Sequence, residues 1–226
     1  RVHEMARGRL QRELVTPRPD WRERCEQVGF GYHTIDGTYW DESACYAFGA
    51  DEIDLLEAAT AELHRMCLEA CEHVVKQGRF AEFAIPPQFH ALVARSWQRR
   101  DPTLFGRFDL AWTGQGAPKL LEYNADTPTS LLEAAVVQWH WLQDYNHRAD
   151  QFNSIHEKLI AWWKKITPWL CGHPLYFSCL NEFPEDYVNV SYLQDCAAQA
   201  GIDVQFISVH EIGLNKKQLI DLAERK

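Results

Sequence analysis

Two short strand-like runs in the middle of the chain carry residue types that bind a hard metal ion. The first begins Arg107-Phe108-Asp109, and the second contains Glu122-Tyr123-Asn124. Between them, Gly114-Gln115-Gly116 is typical of a turn. Carboxylate and amide oxygens, without Cys or His, favour Mg²⁺, which keeps several waters and bridges to substrate phosphates. The spacing predicts a β-hairpin over residues 106–124 with a metal-binding face.

Strand register decides whether these side chains meet. Side chains alternate between the two faces of a strand, so Arg107 and Asp109 share a face, as do Glu122 and Asn124. A turn centred between residues 115 and 116 places Asp109 opposite Glu122 and Arg107 opposite Asn124. Facing carboxylates repel unless a cation binds, and an arginine beside that cation can stabilise a transferring phosphoryl group. A solvent-facing hairpin with ordinary surface charges fits the pattern alone equally well.

The segment Asp126-Thr127-Pro128-Thr129-Ser130 follows the hairpin and leads into a predicted helix. Free N–H groups and hydroxyls at a helix N-terminus can bind an anion such as a phosphate or a carboxylate. Simple capping by Thr129 or Ser130 is the commoner role, and Ser130 with Glu133 fits a capping box. The two roles are compatible.

Helices are predicted before the hairpin. Residues 1–20 are expected to be irregular and residues 21–48 to form short strands and turns. Apolar residues then recur every three or four positions over Asp51–Lys76, and Gly78 follows as a stop, which predicts a long helix. A shorter helix is predicted to open at Pro86-Pro87 and to run through Trp97, because proline is well suited to the first helical turn.

Strands and helices alternate after the hairpin. Helices are predicted over Ser130–Tyr145 and Gln151–Ile166. A strand over residues 175–180, a helix over 185–200 and a strand over 202–209 follow, and a last helix begins at Lys216. This order indicates a small parallel α/β layer. The predicted fold class is therefore α+β or α/β, with a hairpin-containing part over residues 1–145 and a β-α-β layer over residues 146–226. The last predicted helix is unfinished, so we expect a truncated chain.

Composition excludes several classes of function. The 226 residues are 46% hydrophobic and carry a net charge of −9, which argues against a nucleic-acid partner. No run reaches the roughly 18 apolar residues of a membrane span, and no signal peptide is recognisable. The seven cysteines form no Cys-x-x-Cys pair, so free thiols in a reducing compartment are expected. These features predict a soluble, cytoplasmic protein.

The string Leu120-Leu121-Glu122-Tyr123-Asn124-Ala125-Asp126-Thr127-Pro128-Thr129-Ser130, preceded by Gly106-Arg107-Phe108-Asp109, resembles the glutathionylspermidine synthase family, an ATP-grasp group. Tyr39–Ser43 and Ala84–Pro87 are similar to the front region of the same family. The likeness covers essentially the whole chain. It is strongest to the branch of acid–amine ligases that lacks the amidase domain of the bifunctional synthases.

The resemblance implies an ATP-dependent, Mg²⁺-requiring acid–amine ligase with an ATP-grasp fold, of which this chain is the front half. ATP would convert a small-molecule or peptide carboxylate into an acyl-phosphate, and a polyamine-like amine would then displace the phosphate. The implied roles are metal ligation by Asp109, Glu122 and Asn124, catalysis by Arg107, ATP contact by Arg107, Phe108 and Asp109, and substrate contact by Thr127, Thr129, Ser130, Glu185 and Asp186.

Three departures from the family pattern matter. Ser130 stands where the synthase carries a cysteine, and threonine replaces serine at positions 127 and 129, which puts glutathione itself in question as the substrate. The residues that bind ATP belong to a later part of the family's longer chain, so residues 1–226 alone are expected to be inactive. A non-catalytic peptide- or polyamine-binding module is the alternative.

Overall fold

The computed structural model describes residues 10–125, 129–180, 182–216 and 218–222 and has an α+β fold. Its helices are α1 Trp21–Gln27, α2 Ala50–Gln77, α3 Pro87–Arg99, α4 Gln138–Asn146, α5 Ile155–Ile166 and α6 Pro184–Gln199. Its strands are β1 Gln11–Leu14, β2 Ala44–Ala47, β3 Arg107–Ala111, β4 Lys119–Asn124, β5 Leu175–Phe177, β6 Val204–Phe206, β7 Ile212–Asn215 and β8 Gln218–Asp221. They pair in order as four two-stranded sheets.

The chain forms two compact units. Unit 1 comprises Arg1–Glu13 and Cys45–Thr127, and unit 2 comprises Leu14–Ala44 and Pro128–Lys226. The predicted division into domains over residues 1–145 and 146–226 remains a prediction.

Unit 1 is built on the predicted long helix, α2. Glu52 in its first turn accepts hydrogen bonds from the backbone N–H of Leu10 at 2.7 Å and of Gly49 at 2.9 Å. The bond from Gly49 satisfies a backbone N–H at the helix start. Together the two bonds compensate for the burial of the Glu52 carboxylate. Gly78 ends the helix at a φ of 64°, a left-handed conformation that glycine adopts without strain. α3 begins at Pro87, within the predicted Pro86-Pro87 start.

Unit 2 contains the predicted parallel layer. β5 and β6 pair in parallel, with Leu175 opposite Val204, and α6 crosses between them. The rings of Trp163 in α5 and Phe177 in β5 pack edge to face with centroids 5.7 Å apart. Most of the buried apolar side chains of the described chain lie in this unit, among them Phe30, Val137, Leu159, Cys196 and Ile207.

Three predictions of secondary structure were wrong. Residues 11–14 form a strand rather than irregular chain, and residues 21–27 form the short helix α1. α1 buries only Cys25, so its sequence carries too little helical periodicity to detect. The predicted last helix is replaced by the antiparallel hairpin β7–β8, where Lys216 adopts a φ of 57°. A left-handed residue makes a tight turn and cannot begin a right-handed helix.

No helix in the described part of the chain is long and apolar enough to cross a membrane.

The seven cysteines are free thiols, as predicted, and they differ in accessibility. Cys25 is 1% and Cys196 0% exposed, and burial raises the pKa of each thiol to about 11. Relative to an ordinary thiol with a pKa near 9.0, each holds about 100-fold less reactive thiolate at neutral pH. We expect N-ethylmaleimide at pH 7.5 to modify the exposed Cys171 first, and Cys25 and Cys196 only after denaturation, as measured by peptide mass spectrometry. Early labelling of Cys196 would contradict this order.

Candidate functional site

The hairpin of unit 1 forms in the predicted register. β3 and β4 are antiparallel, with Arg107 opposite Asn124 and Asp109 opposite Glu122. The register shifts between Asp109 and Leu110, so a β-bulge lies directly beyond the paired carboxylates. Because side chains alternate along each strand, Arg107, Asp109, Glu122 and Asn124 lie on one face, here called the polar face.

Each carboxylate on the polar face has a neighbour from its own strand. Arg107 donates to Asp109 from Nε to Oδ1 at 2.8 Å and from Nη2 to Oδ2 at 3.4 Å. Asn124 Nδ2 donates to Glu122 Oε1 at 2.5 Å. The side chains of Arg107 and Asp109 remain 37% and 38% exposed, so a solvated ligand can reach them.

The opposite face holds the hairpin in place. Phe108 and Tyr123 stack with ring centroids 4.1 Å apart, and Tyr123 Oη lies 3.1 Å from Nδ1 of His64 in α2. Gly106 permits this packing, since a Cβ there would lie 2.6 Å from Tyr123 Cε2. The predicted ATP contact, Phe108, thus has its ring engaged by Tyr123 on the face away from Asp109.

The donors on the polar face fit Mg²⁺. Asp109 and Glu122 supply carboxylates and Asn124 an amide oxygen, and a hard ion prefers such oxygen ligands. Among the described residues no group of three or more His, Cys, Asp and Glu could hold a metal ion. A metal on the polar face would therefore depend on Asn124 as its third protein ligand. These roles remain predictions.

The predicted substrate residues that the structure describes belong to unit 2. Thr127 lies outside the described residues, whereas Thr129 and Ser130 are half-buried just before the helical segment. Glu185 and Asp186 occupy the first turn of α6, and both are half-buried. The side-chain amide of Asn189 connects the two regions, because it accepts from the N–H of Leu131 at 3.1 Å and donates to the carbonyl of Glu185 at 2.9 Å.

The capping box predicted for Ser130 and Glu133 is wrong. Ser130 has a φ of 66°, whereas an N-cap residue needs an extended backbone. Glu133 instead opens a π-helical segment, Glu133–Val137, directly before α4. Its Oε1 accepts from Tyr32 Oη at 3.0 Å and from Tyr39 Oη at 2.8 Å.

This buried carboxylate and its two tyrosines were missed at the level of sequence, and we call Tyr32, Tyr39, Glu133 and Glu185 the carboxylate–tyrosine cluster. Burial, followed by repulsion from Glu133, raises the pKa of Tyr32. Burial also raises the pKa of Tyr39; a hydrogen bond with Ser130 opposes this shift, whereas Glu133 and Glu185 reinforce it. Both phenols are therefore neutral hydrogen-bond donors at physiological pH.

Comparison with known proteins identifies the family of the chain. Residues 12–226 match the sequence profile described as "Glutathionylspermidine synthase preATP-grasp". The chain belongs to this family. The family resemblance inferred from the Glu-Tyr-Asn-Ala-Asp string is thereby confirmed.

Named relatives of this family member are ligases. The chain is 39% identical over 218 residues to a Haemophilus influenzae protein named "Putative acid--amine ligase", covering 92% of this chain and 55% of that protein. It is 28% identical over 170 residues to the "Bifunctional glutathionylspermidine synthetase/amidase" of Escherichia coli, covering 72% and 26%. It is 28% identical over 124 residues to the "Trypanothione synthetase" of Crithidia fasciculata, covering 54% and 17%. The chain thus spans about half or less of the length of these relatives.

Proposed function

We propose that the complete protein is an ATP-dependent, Mg²⁺-requiring acid–amine ligase of the ATP-grasp type, with this chain as its front portion. Family membership and the names of the relatives support a carbon–nitrogen ligase. The observation that carries the finer proposal is the pairing of Asp109 with Glu122, since facing carboxylates repel unless a cation lies between them.

The proposed reaction has two steps. The carboxylate of the acid attacks the terminal phosphorus of ATP, ADP leaves, and an acyl-phosphate forms. The amine nitrogen then attacks the acyl carbon and loses a proton, phosphate leaves, and an amide bond remains. The acid is a small molecule or peptide and the amine is polyamine-like, by analogy with the glutathionylspermidine synthetase among the relatives.

The polar face would serve the first step. Asp109, Glu122 and Asn124 would hold Mg²⁺, which neutralises phosphate charge when bound. Arg107 presents planar N–H donors that suit phosphate oxygens, and its pairing with Asp109 orients the guanidinium. Phe108 and Asp109 complete the proposed ATP contact, and Thr127, Thr129, Ser130, Glu185 and Asp186 the substrate contact.

A substrate screen tests this function directly. The complete protein is incubated with ATP, Mg²⁺ and pairs of candidate acids and amines, and ADP and the amide are measured together. We expect one amide per ADP, and only when both substrates are present. Binding of acids and amines without ADP release would instead identify a non-catalytic binding module. We expect activity in the cytoplasm, where the free thiols stay reduced.

Residues 1–226 alone are expected to show no ATP turnover. The residues that bind the nucleotide are expected in the later part of the family's longer chain. The polar face supplies only a metal site and one arginine. The measurement is ADP release by residues 1–226 beside the complete protein at equal concentration. Equal rates would overturn this expectation.

A further inference from the structure

Glu133 is a buried carboxylate with one oxygen left without a partner. The residue is only 6% exposed, and its Oε1 accepts both tyrosine hydroxyls. Within the described ranges, Oε2 is buried and has no hydrogen-bond partner. Burying a carboxylate oxygen unpaired is costly, because it loses its hydration without compensation. The cost is recovered when a donor binds.

A second carboxylate gives the carboxylate–tyrosine cluster its charge. Glu185 lies beside Tyr32, because the side-chain amide of Asn189 donates both to the Glu185 carbonyl at 2.9 Å and to Tyr32 Oη at 3.4 Å. Its charge also raises the pKa of Tyr32 and Tyr39. Among the described residues, neither Glu133 nor Glu185 forms an ion pair with Lys or Arg. The cluster therefore attracts cations and repels phosphates and carboxylates.

The cluster also has an aromatic wall. The Tyr39 ring is 40% exposed and lies 5.8 Å from the ring of Tyr32, between centroids. An aromatic face beside carboxylates suits an ammonium group, which gains cation–π attraction as well as charge-assisted hydrogen bonds. A divalent metal fits less well, because the two tyrosine hydroxyls donate to Oε1 of Glu133 and leave only Oε2 of this carboxylate without a partner.

We infer that Glu133 and Tyr39 form a binding site for an ammonium group of a substrate. In this proposal Tyr39, which is 40% exposed, meets the ammonium at the surface, and its side chain rotates to let the ammonium reach the buried Oε2 of Glu133. This inference rests on the proposed function for the identity of the substrate, which is either the amine or the amino-terminal end of a peptide acid.

Calorimetric titration of the complete protein tests the site independently of turnover. The probes are spermidine, a polyamine, and glycylglycine, which carries an α-ammonium group. For at least one probe we expect Glu133→Gln to weaken binding about tenfold or more, since it removes the charge but keeps the shape. Tyr39→Leu, which removes the aromatic wall, is expected to weaken the same probe severalfold and is the second variant if Glu133→Gln unfolds.

Glu182→Gln is the matched control. Glu182 is an exposed acid just before α6, pairs with His210 at 3.1 Å and lies outside the cluster, so binding should be unchanged. Weakened spermidine binding assigns the site to the amine, and weakened glycylglycine binding assigns it to the peptide. Unchanged affinity for both probes in Glu133→Gln and Tyr39→Leu would overturn the inference, as would the absence of binding by the unsubstituted protein.

Turnover separates this inference from the proposed function. If the complete protein forms an amide, Glu133→Gln should raise the KM of the substrate whose probe it weakens and leave the KM of ATP unchanged. If no ATP turnover occurs yet Glu133→Gln still weakens probe binding, the ligase proposal fails and the ammonium site stands.

Discussion

Asparagine in place of Asp109 is expected to lower Mg²⁺-dependent ATP turnover of the complete protein by about 100-fold or more, the scale of losing one electrostatic stabiliser of a transition state. The substitution keeps the size of the side chain but removes one of two carboxylates that face each other on the polar face. It also removes the charge that orients Arg107. The rate is measured as ADP release over a range of Mg²⁺ concentrations, where weaker metal binding shifts the half-saturating concentration upward.

Asp101→Asn is the control for this prediction. Asp101 also belongs to unit 1 and, like Asp109, pairs with an arginine two residues before it, Arg99, at 2.9 Å. It lies outside the polar face, so its replacement should leave the Mg²⁺ dependence unchanged. If both variants turn over ATP like the unsubstituted protein, the metal assignment of Asp109 is wrong. Glu122→Gln provides an independent repeat on the facing strand.

Methionine in place of Arg18 is expected to destabilise unit 2 by about 3 kcal/mol, because it leaves a buried carboxylate unpaired. Arg18 Nη2 lies 2.6 Å from Glu42 Oε1, and the side chains are 13% and 0% exposed. The guanidinium also reaches Asp144 at 2.6 Å. Without the guanidinium, Glu42 keeps two weaker donors, the indole N–H of Trp40 at 3.2 Å and the backbone N–H of residue 18 at 3.3 Å. Urea-induced unfolding followed by tryptophan fluorescence measures the loss.

Arg65→Met is the control for Arg18→Met, because it removes an arginine from an exposed rather than a buried ion pair. Arg65 pairs with Glu62 and Glu69 on the exposed surface of α2. Exposed pairs contribute little, because water screens them and ordering two long side chains costs entropy. The urea midpoint should therefore move much less than for Arg18→Met. Comparable shifts for the two variants would show that burial of Glu42 is not the cause.

The polar face could be predicted from sequence because its geometry is local. The two strands are joined by a short connection, so their pairing follows from one local segment. The bulge was not predicted: the pairs nearest the turn, such as Leu110 with Leu120, are one residue out of the predicted register, and the bulge brings Asp109 opposite Glu122. The long helix α2 was predictable for a similar reason, since apolar periodicity and the stop at Gly78 act within one segment. The roles of these residues remain predictions even where their positions are confirmed.

The carboxylate–tyrosine cluster could not be predicted, because its contacts span the chain. Tyr32 and Tyr39 lie 101 and 94 residues before Glu133. The local pattern of Ser130 and Glu133 instead matched a capping box, and the long-range hydrogen bonds outweighed it. The hairpin β7–β8 was missed for a related reason, since its strands gain stability by pairing with each other rather than from helical periodicity.

The β-bulge beside Asp109 has an evolutionary consequence. Beyond it, Leu110 lies opposite Leu120, so the register there is already offset from that of the Asp109–Glu122 pair. A bulge absorbs an extra residue locally. A one-residue change in length beside the turn can therefore be taken up at the bulge without moving the carboxylates apart. Chimaeras that exchange the connection between β3 and β4 among family members should retain the geometry of the polar face.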